Sequence, residues 1–146
     1  MKLVREYINE ATAGINPIKY VPSFEGNINL SDKGITELPK DLPKKITGSF
    51  YCYDNNLTSL EGAPTSVGVN FYCDKNNLTS LKGSPRSVGK DFYCNDNDLT
   101  SLEGAPTSVS RSFYYHSNNI SKKEVMRYFQ MDVVQGIIYS DYEINI

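Results

Sequence analysis

Of 146 residues, 39% are hydrophobic and the formal net charge is −2, values that suit one chain with a modest core. Charge this close to neutral gives no electrostatic case for a nucleic-acid or membrane partner. No apolar run is long enough to cross a bilayer and no secretory leader is evident, so a cytoplasmic location is expected.

Residues 1–26 open the chain. MKLVREYINEA carries Leu3, Val4, Tyr7 and Ile8 on one stripe, which predicts a short amphipathic helix. It reads either as a cap over the first turn of the next region or as a separate partner-binding helix. Gly14, Pro17, Pro22 and Gly26 mark the stretch behind it as a connector.

Residues 27–120 repeat themselves. Phe50, Phe71, Phe92 and Phe113 recur every 21 residues, and so do Leu57, Leu78, Leu99 and Ile120. Pro64, Pro85 and Pro106 keep the same spacing. A fixed period of this size makes each repeat one turn of a solenoid. An earlier, divergent turn fits Ile28, Leu30, Ile35 and Leu38, with Lys33 in place of an asparagine and one extra residue before Pro43. Within each turn Phe, Tyr and Cys alternate inward, outward and inward, the period of a short β-strand. After Gly62 and Pro64 the return path reads as extended or short-turn segments, since both residues disfavour a helix. Asn55, Asn76, Asn97 and Asn118 follow each strand. There the chain must turn inside the stack, and a column of buried amides would satisfy the stranded backbone groups.

Residues 121–146 break the repeat. Ser121 and Glu124 form a capping box, predicting a helix from about Lys122 to Met131 with Val125 and Phe129 on one face. A last strand near Gly136 to Tyr139 should pair with or cover the remaining sheet edge.

Chemistry is sparse. His116 is the single histidine, so neither a zinc cluster nor a Ser-His-Asp arrangement can be assembled. YDNN, CDKNN and CNDND look like calcium loops but lack the closing glutamate and the glycine at the right spacing. Cys52, Cys73 and Cys94 share one inward position. Strands ~4.8 Å apart do not suit a disulfide, whose Cβ atoms want ~3.8 Å; buried packing is the reading, against a metal or redox role. No catalytic residue, cofactor or metal is expected, and the chain does not read as an enzyme. Nothing in the pattern fixes an oligomeric state.

The outward strand positions are Tyr51, Tyr72, Tyr93 and Tyr114, an aromatic spine. Ser49, Asn70, Asp91 and Ser112 run along one flank, and Tyr53, Asp74, Asn95 and His116 along the other. Cross-strand aromatics can serve the sheet alone, or they can form a binding surface, since tyrosine offers rigid area and a hydroxyl. The binding set is Tyr51, Tyr72, Tyr93, Tyr114, Tyr53, Asp74, Asn95, His116, Asn70 and Asp91.

The pattern apolar-x-apolar-x-x-Asn-x-Leu resembles the leucine-rich repeat family, seen in Phe50, Cys52, Asn55 and Leu57 and again in the later turns. With the FYC strand, the NNLTSLEGAP phrase and the MKLVREYINEA opening, the chain is similar to short leucine-rich repeat proteins encoded by large tailed bacteriophages. The resemblance implies a curved parallel sheet of short strands with little helix on the convex side and a helical cap at each end. It implies a non-catalytic module that binds protein through its concave tyrosine-lined face, with a host bacterial protein, such as one of antiviral defence, as partner. The alternative is an aromatic platform for a nucleotide, glycan or single-stranded nucleic acid.

Overall fold

The computed structural model describes residues 23–129 and the strand at 138–139. The expected N-terminal helix lies outside the described residues. What is described is a parallel β-solenoid built from strands of two residues each. One sheet joins β1 (Ser23–Phe24), β3 (Lys45–Ile46), β5 (Ser66–Val67), β7 (Ser87–Val88) and β9 (Ser108–Val109). The second joins β2 (Ile28–Asn29), β4 (Phe50–Tyr51), β6 (Phe71–Tyr72), β8 (Phe92–Tyr93), β10 (Phe113–Tyr114) and β11 (Ile138–Tyr139). Like residues pair with like, Phe71 with Phe92 and Val67 with Val88. The extra residue before Pro43 lengthens the first turn, so Ile28 pairs with Phe50 and Ser23 with Lys45.

The return path is therefore extended segments and turns, as Gly62 and Pro64 imply, and its extended segments pair into a second ladder. Each Ser-Val pair offers the core a single β-branched residue, and Ile46, Val67, Val88 and Val109 are all buried. Between the sheets the phenylalanines stack with centroids 5.4, 5.4 and 5.0 Å apart. Leu57, Leu78 and Leu99 and then Leu60, Leu81 and Leu102 fill the rest.

The asparagine column closes each corner as its spacing predicts. Asn76 Oδ1 accepts from Leu57 N at 3.0 Å, while its Nδ2 donates to the carbonyls of Cys52, Cys73 and Asp74. Asn55, Asn97 and Asn118 repeat the arrangement. The residue before each is left-handed, with φ of 55° at Asp54, 53° at Lys75 and 54° at Asp96. Aspartate tolerates that region better than most residues; the sequence offers no such reason for Lys75. The three cysteines are fully buried free thiols. Those of Cys52 and Cys73 donate to the carbonyls of Tyr72 and Tyr93 at 3.2 Å, and burial pushes all three thiols up, leaving them protonated packing groups.

The described helix α1 runs Lys122–Phe129. Ser121 Oγ accepts from Glu124 N at 3.3 Å, and Val125 is buried. Phe129 meets Phe113 edge-on at 5.9 Å, and the Tyr128 hydroxyl donates to the Pro106 carbonyl. The helix thus sets the Tyr128 and Phe129 rings against Phe113. Gln130 and Met131, the expected last turn, lie outside the described residues. β11 pairs with β10 in register at Ile138–Tyr139, on the edge the sequence assigns to a final strand.

Candidate functional site: a tyrosine face

Strand alternation turns one residue of each FYC triplet outward, and parallel in-register pairing sets those residues above one another. Tyr51 and Tyr72 stack at 4.9 Å, Tyr72 and Tyr93 at 4.5 Å, and Tyr93 and Tyr114 at 4.2 Å. Their planes lie within 7°, 12° and 5° of parallel. The rings therefore cover one another's faces and present edges and hydroxyls outward. Burial, with hydrogen bonding to Tyr114, pushes the Tyr93 phenol up, and burial also raises Tyr72 despite its bond from Asn70. These hydroxyls are neutral donors and acceptors at physiological pH. Asn29 pairs with Tyr51 at one end of the column. At the other end Tyr139 pairs with Tyr114, a register position that the broken repeat conceals in the sequence.

The two flanks differ. On the first, each side chain binds the backbone of the next turn. Asn27 Oδ1 accepts from Ser49 N at 2.7 Å, Ser49 Oγ from Asn70 N at 3.2 Å and Asn70 Oδ1 from Asp91 N at 3.0 Å. Asp91 Oδ1 accepts from Ser112 N at 3.0 Å and lies 3.8 Å from Arg111 Nε. Ser49, Asp91 and Ser112 are buried. Asn70 and Asp91, placed in the binding set by sequence, have these oxygens committed to holding turns together; Asn70 also reaches the Tyr72 hydroxyl at 3.0 Å. Ser, Asn and Asp read as solvated surface in sequence, so this ladder has no sequence signal.

The second flank has no such ladder. Tyr53 stands edge-on to Tyr51 and Tyr72, at 6.4 and 6.3 Å. Asn95 Nδ2 donates to Asp96 Oδ2 at 2.7 Å, and His116 Nδ1 is 3.3 Å from Ser117 Oγ. Asp74 is half-buried, and its Oδ1, shielded from solvent, has no hydrogen-bond partner among the described residues. Burial pushes the Asp74 carboxyl up, partly offset by a backbone hydrogen bond and Lys75, with Asp96 and Asp54 adding to the rise.

Comparison with protein-family models, curated proteins and solved structures found no match. Among the described residues no group of three His, Cys, Asp or Glu side chains could hold a metal ion. No helix among them is long and apolar enough to cross a membrane. A cleft between α1 and the preceding turn is lined by Ser101, Leu102, Glu103, Glu124, Arg127 and Tyr128, none of which belongs to the tyrosine face.

Proposed function

We propose that this chain is a non-catalytic protein-recognition module of the leucine-rich repeat kind, binding through its tyrosine face. One observation carries the reading. Tyr51, Tyr72, Tyr93 and Tyr114 form a continuous half-buried strip whose hydroxyl edges point outward, beside a flank in which Tyr53 and His116 are partly exposed while Asn95 is buried. Such a strip supplies rigid area and hydrogen bonds at little entropic cost, the properties that enrich tyrosine at binding hot spots. Solenoids use the same kind of extended surface for partners. In line with the resemblance to bacteriophage repeat proteins, the proposed partner is a bacterial host protein, including one of antiviral defence.

Single-strand nucleic-acid binding stacks bases on exposed aromatic faces within a positive groove. Here the ring faces are taken by one another, and Asp74 and Asp91 flank them, so that reading has less support.

The test is a pull-down from bacterial lysate with the wild type and a Tyr72→Ala/Tyr93→Ala variant. Both central rings are sandwiched between neighbours, so each truncation should weaken binding by about 2 kcal/mol or more. The side chains point away from the core, so the two proteins should melt within a few degrees of each other. A partner retained equally by both would mean that the spine serves the sheet alone.

A further inference from the structure

A net charge of −2 averages over a marked asymmetry, because the sheet that lacks the tyrosines is basic. Residues 44–48, 65–69, 86–90 and 107–111, which hold β3, β5, β7 and β9, carry Lys44, Lys45, Arg86, Lys90 and Arg111 and no acidic residue. All of these cations are exposed. Register gathers them. Lys45 heads a column through Ser66, Ser87 and Ser108. Lys44, Thr65, Arg86 and Thr107 form the next, each turn donating a backbone bond of 2.8 to 2.9 Å to the one before. Arg111 N donates to Lys90 O at 2.9 Å, which sets those two residues on adjacent turns. With strands about 4.8 Å apart and residues about 3.3 Å apart along them, the array measures roughly 14 Å each way. Lys44, Lys45, Arg86 and Lys90 make no ion pair among the described residues, whereas Arg111 reaches the buried Asp91 at 3.8 Å. Glu25 in the preceding turn and Asp41 shortly before Lys44 bound the array. Unneutralised cations gathered in this way repel one another and favour a polyanion that meets them together.

We propose that this second sheet binds the phosphate backbone of double-stranded nucleic acid without reading its bases. The inference stands apart from the tyrosine face and does not depend on what that face takes. Three features select the partner. A DNA duplex carries about one charge per 1.7 Å of its axis, so an array of this size meets enough phosphates to engage every free cation at once. The Ser66, Ser87 and Ser108 hydroxyls between the cations are the kind of neutral donor that phosphate contacts use. The apolar residues Ile46, Val67, Val88 and Val109 are buried in the core, and in these four stretches Val69 alone is partly open. The surface therefore lacks the apolar anchors that a protein hot spot or a bilayer uses. A sheet face four strands wide is also too broad for a groove that admits a helix or a two-stranded ribbon, so contact stays with the backbone.

The experiment titrates the full chain against a fluorescent DNA duplex at about 50 and 200 mM salt, with phosphatidylserine vesicles and poly-glutamate as separate arms. The four unpaired cations predict a slope of log affinity against log salt of about −4, roughly a hundredfold loss across that range. Lys45→Gln/Arg86→Gln/Lys90→Gln should weaken binding by about tenfold or more at the lower salt and flatten the slope by about 1 per residue. Lys75→Gln/Lys122→Gln/Lys123→Gln removes the same charge from exposed positions elsewhere and should bind within about twofold of the wild type, since screening confines each charge to its own neighbourhood. All six substituted side chains are exposed, so both variants should melt with the wild type.

No binding of the duplex at the lower salt, a slope shallower than about −1, or equal weakening by the two triple variants would each overturn the proposal. Binding lost with Tyr72→Ala/Tyr93→Ala and kept by Lys45→Gln/Arg86→Gln/Lys90→Gln would put the nucleic acid on the tyrosine face and overturn its assignment to this sheet. Vesicles or poly-glutamate held as tightly as the duplex, and released by the same triple variant, would give the surface to a membrane or an acidic protein and equally overturn it.

Discussion

Asn76 places one amide among four backbone groups, accepting from Leu57 N and donating to the carbonyls of Cys52, Cys73 and Asp74. Its neighbour Asn77 is exposed, and there the backbone N–H makes the contact, donating to Leu57 O at 2.9 Å. The pair looks alike in sequence and differs by one step of chain direction. Asn76→Ala should therefore lower stability by about 1–3 kcal/mol through unpaired buried groups, while Asn77→Ala stays within about 0.5 kcal/mol of wild type. Thermal or denaturant unfolding of the two variants decides it; equal curves would move the ladder to the other column. The asparagine column was legible because a recurrent amide after a strand has few other physical uses. The serine-asparagine-aspartate ladder through Ser49, Asn70 and Asp91 was not, because backbone-bonding side chains and solvated surface use the same letters.

Among the elements, the FYC strands were legible and the Ser-Val strands were not, for a reason of length. A strand is recognised by alternation over several residues, and FYC supplies three such positions where Ser66–Val67 supplies one buried residue. The second sheet instead leaves its trace in the glycines of the return path. A Cβ on Gly89 would lie 2.0 Å from the Gly68 carbonyl oxygen, closer than any real contact. The register places Gly68, Gly89 and Ser110 in one column. Thr47, opposite Gly68, and Ser110 already carry a Cβ in that column, and β9 has no further neighbour in its sheet among the described residues. β7 is held from both sides. Gly89→Ala should cost about 1–3 kcal/mol, the range for forcing extra atoms into packed structure, while Ser110→Ala stays within about 0.5 kcal/mol. A Gly89→Ala protein that melts with the wild type would show that the strands slide past one another more easily than this packing implies.

At the scale of the whole molecule, each turn contacts the turn before and the turn after, so stability is a sum of intrinsic terms and neighbour interfaces. Position along the stack should then matter as much as residue type. Phe71 is fully buried and stacked on both Phe50 and Phe92, and its removal weakens two interfaces at once. Phe71→Ala should cost about 3–5 kcal/mol, a large share of a typical domain stability of about 5–15 kcal/mol. Its effect should spread to strands on both sides, lowering the melting temperature by roughly 10–20 °C. Ile28 pairs with Phe50 on the last described strand at the other end of that sheet, so Ile28→Ala weakens one interface and lets the end fray. Amide hydrogen exchange separates the cases, since local opening and global unfolding differ in how many amides lose protection together. With Ile28→Ala, faster exchange should stay near Leu30 and Asp32, whose N–H groups bond the next turn. With Phe71→Ala, the amides of Cys52, Cys73 and Cys94 should all exchange faster by a similar factor. If Phe71→Ala instead speeds exchange at Cys73 alone, the turns are energetically independent. The tyrosine face would then be a row of separate small surfaces whose order does not depend on the turns beside them.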